Sequence, residues 1–586
     1  MNLMITPLAA TEAAGFELGL WDYAAFIGYF VILSAVGLWA GRRKKDHSDE
    51  YFLAGRTLPW YVVGCSFIAS NISAEHFIGM IGAAFVFGIC AAMFEWGNVL
   101  TFSILVWIFI PFLLSSRVFT TPEFMERRFN NTCRQFFAIV TVLTNVVAFL
   151  AAVLYGGGLA LQRMFEWNLW TGILAVGIVA GGWAIYGGLR TVAWMDLFTV
   201  IVMITGGLLV TALGLMALAP DGSSLLEGAR VMLERNRAAE GVYKELVERV
   251  APALAGRDTY NRLSVIQPIT HTLVPWLGLV FIVFSVSIWY NVINQFMIQR
   301  VLGARNMYHA RMGIVLAGYL KIILPAIVVV PGLILFAYDP SPMGLPFAEI
   351  ATEADKGYVT MLQMLIPIGL RGVFLAALFG AIQSTIQAVI NSTSTVFTMD
   401  IYKRMLVPDA PERHLVRVGR LSAVIFLLLA VGLARLIAEL QQGLFEYIQT
   451  LYAFFAPPFG AVFLLGILWR RINAAGATAT LFAGFGLSLA IKLYLWQNPD
   501  QLPWLEPFMM QATVSWLFSM GVCIAVSLAT APPPPQQVTD ELTINWRTIN
   551  LWGGLGAHWY TNVVLWWGLF VALVVALMIL FSGAVW

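Results

Sequence analysis

Charge is what this sequence has least of. Acidic and basic residues together make up 11% of its 586 positions, against about 25% in a water-soluble chain, so water is not the solvent for most of its surface. With 34 Lys and Arg against 32 Asp and Glu, the formal net charge is +2. No dense basic stripe exists to neutralise phosphates, which excludes a nucleic-acid binder. Cysteine is rare as well. Cys65, Cys90, Cys133 and Cys523 are scattered, with no CxxC pair and no metal-ligand spacing, so buried thiols are expected rather than a disulfide framework. A Walker motif is missing, so ATP is not the visible energy source; an ion gradient, or no coupling, is left. Nothing resembles HExxH or a nucleophile–base spacing, which argues against a membrane enzyme. The lack of a fused signalling domain argues against a sensor. The start, MNLMITPLAATEAAGFELGL, lacks the basic and short apolar regions of a cleaved signal peptide.

What is present is apolar sequence, 60% of the chain. A bilayer-crossing helix needs about 20 apolar residues, and about fourteen runs qualify. They lie near 22–41, 57–83, 86–114, 134–163, 168–187, 192–219, 272–298, 312–338, 358–400, 416–438, 443–468, 473–495, 508–531 and 561–584. The expected fold class is therefore an all-α polytopic membrane protein. Lys and Arg concentrate in alternate connections: Arg42 to Lys45, Arg117 to Arg134, Arg190, Arg300 to Arg311, Lys403 to Arg420, and Arg470 with Arg471. By the positive-inside rule these connections are cytoplasmic, and both termini lie outside the cytoplasmic membrane. Of the long outside loops, 220–270 carries the amphipathic stretch LLEGARVMLERNRAAEGVYKELVERV, read as a surface helix forming a solvated cover.

Polar groups inside the runs cost roughly 2.5–3.5 kcal/mol each when ionisable, so they mark places that matter. The second run reads SFIASNISAEHFIGMIG, where Asn71, Ser73, Glu75 and His76 interrupt an apolar helix. Two readings fit. Either the helix breaks there and frees backbone carbonyls for a cation near the bilayer midplane, or it kinks and its polar groups bond neighbouring helices. In the ninth run, Ala381, Ser384 and Thr385 fall at i, i+3 and i+4 on one face. Their carbonyl and two hydroxyls, with two carbonyls from a broken second span, would make five neutral oxygens suited to a small hard monovalent ion. The hydroxyls could equally bond their own helix at i−4. Glu95, Asn98, Ser287, Tyr290, Asn291, Lys321 and Gln449 are further polar groups within apolar runs. With His76 they mix donors and acceptors, as ring hydroxyls require, and an aromatic face can pack on the C–H face of a pyranose. The cargo this suits is a polyol.

Several stretches carry a resemblance: DEYFLAGRTLPW (49–60), SFIASNISAEHFIGM (66–80), TTPEFMERRFN (120–130), IYGGLRTVAWMD (185–196), NQFMIQRVLGA (294–304), NSTSTVFTMDIYKR (391–404) and PPFGAVFLLGILWRR (457–471). In this order they resemble the sodium/solute symporter family, in particular its sodium–glucose and sodium–galactose cotransporter branch. The resemblance implies a leucine-transporter-like five-plus-five inverted repeat within 49–471, a flanking helix and loop in 1–48, and accessory helices in 472–586. It implies that the second and seventh spans are discontinuous. It places sodium on the carbonyls of Ala69, Ile72 and Ala381 and the hydroxyls of Ser384 and Thr385. It places the sugar against His76, Glu95, Ser287, Lys321 and Gln449, with Tyr290 closing the inner side, Asn71 as that tyrosine's hydrogen-bond partner, and Asp196 linked to cation coupling. The sequence departs from the family at Asn291, where sugar carriers often have tryptophan, and at Phe149, where the galactose carrier has asparagine. Those departures leave sodium coupling untouched and put the particular sugar in question; sodium-coupled symport of a hexose is expected, with myo-inositol, a sialic acid, a monocarboxylate or an amino acid as alternative cargoes.

Overall fold

A segment that leaves water must satisfy its backbone N–H and C=O groups internally, and a helix does so within one stretch of chain. The computed structural model describes residues 17–42, 47–116, 118–238, 261–269, 271, 273–340, 366–438, 444–498 and 501–583. These residues are helical with connecting turns, and no β-strand occurs among them. Twelve of their helices are long and apolar enough to cross a membrane.

The difference from about fourteen apolar runs has a physical cause. Glu75–Ser116 and Leu169–Leu218 are continuous elements of 42 and 50 residues. As straight rods they would measure roughly 63 and 75 Å at ~1.5 Å per residue, about twice the hydrocarbon thickness. Each instead turns at a glycine with positive φ. Gly88 has φ 84° and ψ −154°, and Gly188 has φ 60° and ψ −167°. A Cβ at Gly188 would stand 2.3 Å from Tyr51 O, and one at Gly88 2.2 Å from Arg262 O. Each of the two elements therefore holds two passes, and the short helix Trp60–Asn71 leads into the first.

The passes form two successive sets of five, 60–218 and 276–468, and each set begins with a broken helix. Trp60–Asn71 ends at Ile72, whose φ −93° and ψ 124° are extended, before helix resumes at Ala74. Trp276–Ile293 ends at Asn294 (φ −63°, ψ 125°), and Gln295–Leu302 continues beyond it. Arg371–Leu406 lies at the centre: 94% of its most apolar window is buried, against 17% for the last helix, Val563–Leu580. Exposed Ile27, Val31, Ile178, Leu428 and Ile579 belong to the outer faces, as expected where lipid is the solvent.

Buried arginines close helix ends. Arg262 donates to the carbonyls of Val86 (2.6 Å) and Phe85 (2.7 Å) at the Gly88 turn. Arg128 donates to Gly466 O and Ile472 O, both at 2.8 Å. Guanidinium donors at orphaned C-terminal carbonyls also oppose the helix dipole. Arg134 joins Asp400 (2.7 Å) and Glu126 (2.5 Å), and Arg404 joins Glu126 (2.5 Å). Burial would raise the Glu126 carboxyl, but its bonds from Arg404 and Arg134 hold it below its usual range. All four cysteines are buried and free.

One boundary needs correction. The ninth pass starts at Arg371 rather than 358, because Pro367 and Gly369 (φ 103°) hold 366–370 in a turn; residues 358–365 lie outside the described residues. The amphipathic stretch forms helix Leu225–Ala238, half-covered by contacts such as Arg235 to Ala337 O (2.7 Å). Its remainder, like Arg43 to Lys45 and Arg117, lies outside the described residues.

Substituting Gly188→Ala should lower the thermal unfolding temperature of the purified protein. That φ/ψ region is nearly glycine-only and costs about 1–3 kcal/mol, before the clash with Tyr51 O is counted. Gly182→Ala, in the same helix with nothing within 4 Å of the added Cβ, should leave it unchanged or raise it.

Candidate functional site

The break at Ile72 redirects backbone groups that a continuous helix would use. Ser73 N–H no longer serves Ala69 O; it faces His76 Nδ1 at 3.4 Å. His76 N–H donates to Ser73 O (3.1 Å) instead of Ile72 O. The freed carbonyls point at Arg371–Leu406. Ser384 Oγ lies 2.7 Å from Ala69 O and 2.9 Å from Ala381 O, and Thr385 Oγ1 lies 2.9 Å from Ile72 O. All five residues are buried. The oxygens expected from the sequence thus meet in one place, and the hydroxyls bond across to the broken helix as well as back along their own. A hydroxyl that turns its proton away presents a lone pair, so the group can become five neutral donors to a hard monovalent cation.

One turn earlier on Trp60–Asn71, Ser66 Oγ donates to Asp196 Oδ2 (2.6 Å) and accepts from Arg300 Nε (3.1 Å). Asp196 Oδ1 has no hydrogen-bond partner among the described residues. The structure brings Asp196 next to the oxygen cluster rather than into it.

Beyond the break lies a cavity of about 390 Å³. His76, Glu95, Asn98, Ser287, Tyr290, Asn291, Lys321 and Gln449 all line it, together with Asn71. Eight positions spread over 374 residues of sequence therefore face one space. Glu95 is the hub: His76 Nε2 lies 3.2 Å from its Oε1 and Lys321 Nζ 2.5 Å from its Oε2. Lys321 also donates to Asn71 Oδ1, so Asn71 is tied to the ammonium. Asn98 Oδ1 accepts from Asn291 Nδ2 (2.8 Å), and Asn291 Oδ1 has no hydrogen-bond partner among the described residues. Tyr290 packs against Tyr452 (5.4 Å) and Phe296 (5.6 Å).

The two departures from the family pattern have local consequences. Asn291 holds an amide–amide bond to Asn98 in place of a stacking surface. Phe149 stacks on Tyr452 at 4.7 Å and meets Phe296 edge-on at 5.2 Å, so packing replaces a polar contact. Sequence reading missed several lining residues. Glu75 lines the cavity and accepts from Gln449 Nε2 (3.0 Å); it was visible as a polar interruption without a role. Tyr452 lies three residues after Gln449, on the same helical face, and that spacing could have found it. Met509, Val575 and Met578 line it too, but apolar residues in apolar helices give no signal.

A family model described as the sodium:solute symporter family matches residues 51–484. The chain is 34% identical over 546 residues to a sodium/glucose cotransporter of Vibrio parahaemolyticus, covering 90% of this chain and 95% of that protein. It is 30% identical over 558 residues to a sodium/myo-inositol cotransporter of Homo sapiens, covering 90% of this chain and 76% of that one. Among solved structures, a Na⁺-coupled sialic acid symporter in a substrate-bound outward-open state matches with a TM-score of 0.68 at 20% identity, over 88% of this chain and 99% of that one. That likeness shows the shared leucine-transporter-like fold.

Glu95 and Lys321 are almost wholly buried, so removing one partner strands the other. Lys321→Met should destabilise the protein by about 3–5 kcal/mol. The double variant Lys321→Met with Glu95→Gln should recover most of that loss, as read by thermal unfolding in detergent.

Proposed function

The chain belongs to the sodium:solute symporter family, and from that premise we propose that it couples the entry of sodium to the uptake of a hexose across the cytoplasmic membrane. Its family and relatives are transporters, not enzymes. The observation that carries the proposal is the contact of Ser384 and Thr385 with the carbonyls of Ala69 and Ile72. Sodium is the cargo ion of that cluster, held by the carbonyls of Ala69, Ile72 and Ala381 and the two hydroxyls.

Coupling follows from where the break stands. Asn71 lies between the two sodium-facing carbonyls, and Glu75 and His76 follow on the same broken segment. An ion that draws this segment onto Arg371–Leu406 fixes three members of the solute cavity at once. Different binding energies in the outward and inward states then link the two cargoes. One sodium ion crossing ~100 mV releases about 2.3 kcal/mol, and a tenfold gradient adds about 1.4 kcal/mol. Together these would support roughly 500-fold accumulation of a neutral solute. Tyr290, on its aromatic bed of Tyr452 and Phe296, is the inner closure, and Asp196 acts on the cation step through Ser66 and Arg300.

The lining supports a polyol. Glu95 and the unpaired Asn291 Oδ1 accept; Lys321, Gln449 and His76 donate. Myo-inositol is the second reading, because its ring offers hydroxyls without a pyranose oxygen and Asn291 does not provide an aromatic stacking face. Residues 49–471 are the transport core, 1–48 and 472–586 are flanking parts, and both termini lie outside.

Purified protein in proteoliposomes, with sodium on one side only, should take up labelled glucose or galactose in a sodium-dependent way, with unlabelled myo-inositol as competitor. Ser384→Ala with Thr385→Ala should raise the sodium concentration for half-maximal uptake by about tenfold or more. Unchanged sodium affinity would sink the ion site. Glu95→Ala should abolish hexose uptake while the protein still reaches the membrane; normal uptake would overturn the sugar assignment.

A further inference from the structure

Two carboxylates face the solute cavity, and one ammonium answers them. Lys321 is engaged by Glu95 and Asn71. His76 Nε2 is turned to Glu95, while its Nδ1 faces the Ser73 N–H donor at 3.4 Å. That contact suits the tautomer whose proton is on Nε2, the nitrogen turned to Glu95. Glu95 at −1 and Lys321 at +1 then cancel. Glu75 is left over. Its side chain is buried, it lines the cavity, and its hydrogen bond comes from a neutral amide, Gln449 Nε2, at 3.0 Å. It forms no ion pair among the described residues. An isolated carboxylate in such a place loses its hydration without gaining a counter-charge.

We propose that Glu75 is a proton-binding site within the solute cavity. Resting on the sodium-coupled reading above, the inference is that solute binds to the form in which Glu75 is the neutral acid. Gln449 Nε2 donates to one carboxyl oxygen, Oε1, and the O–H on the other donates to a solute hydroxyl. As pH rises, the O–H bond breaks, the proton passes to water, and the cavity gains an uncompensated negative charge that disfavours solute. Conversely, at alkaline pH each solute that binds draws one proton from water onto Glu75.

The titratable groups around this carboxyl are accounted for. On its own segment there is His76. Glu95 comes from the following pass, Lys321 from Met307–Tyr338, Tyr290 from Trp276–Ile293, and Tyr452 from Leu444–Leu468. Ala151–Phe165 also packs on this segment; its sequence holds Tyr155 and, eight positions further along, Arg163, and no acid. The tyrosines are neutral near neutral pH, and the other two charges are paired.

The test uses the intact protein in proteoliposomes at saturating sodium. The KM for the transported polyol is measured from mildly acidic to mildly alkaline pH. For wild type it should be constant on the acid side and then rise by about tenfold per pH unit once Glu75 deprotonates. In Glu75→Gln, where an amide N–H replaces the titrating O–H, the KM should not depend on pH. A second measurement needs no solute: the infrared carbonyl band of a protonated carboxylic acid should titrate in wild type and be missing from Glu75→Gln. Sodium-dependent thermal stabilisation of the variant establishes that it is folded. The same pH slope in both proteins, or an unchanged band, overturns the proposal. So does a pH-independent wild type whose cooperativity in sodium falls in Glu75→Gln, which would put a metal cation beside Glu75. If no polyol shows sodium-dependent flux, the functional reading fails by itself, and the infrared titration still decides the fate of Glu75.

Discussion

Two hydroxyls resting on two carbonyls hold this architecture's logic together. A helix crossing a bilayer keeps every carbonyl for itself, so Ala69 O and Ile72 O can serve a neighbour only because the chain becomes extended at Ile72. Ser384 and Thr385 meet them from the most deeply buried of the membrane-crossing helices described. If the second pass were continuous, those hydroxyls would have only their own helix to bond. Asn71, Glu75 and His76 would turn with the helix, away from the space they now share with Lys321 and Glu95.

The same break sets the electrostatics of the cavity. Glu95 stands between Lys321 and His76, and His76 belongs to the segment that resumes after the break. Tyr290 and Tyr452 line the cavity, and Phe149 and Phe296 pack against them. Along the broken segment itself, Ala69 and Ile72 face the oxygen cluster while Asn71, Glu75 and His76 line the cavity.

Much of this was legible before any coordinates. Polar residues in an apolar run are expensive enough that Asn71, Glu75, His76, Glu95 and Lys321 could be marked from the chain alone, and the spacing of Ala381, Ser384 and Thr385 placed three oxygens on one face. The turn at Gly188 was legible as a gap between two runs, though not as a single element bent by positive φ. Other features left no local trace. Arg262 caps a helix end whose carbonyls lie 176 and 177 positions before it in the chain, and nothing around it says so; the contact exists only after folding. The start of the ninth pass was set too early because Pro367 and Gly369 override an apolar stretch. Val575 and Met578 are ordinary lipid-compatible residues in the sequence, and only topology brings them to the cavity.

That last point reaches past the protein itself. Val563–Leu580 is the least buried of the membrane-crossing helices described, yet two of its side chains form part of the cavity wall. At that place a single helix separates the cavity from the apolar outer face. Whatever solvates that face, bilayer or detergent micelle, therefore lies one helix away from the cavity.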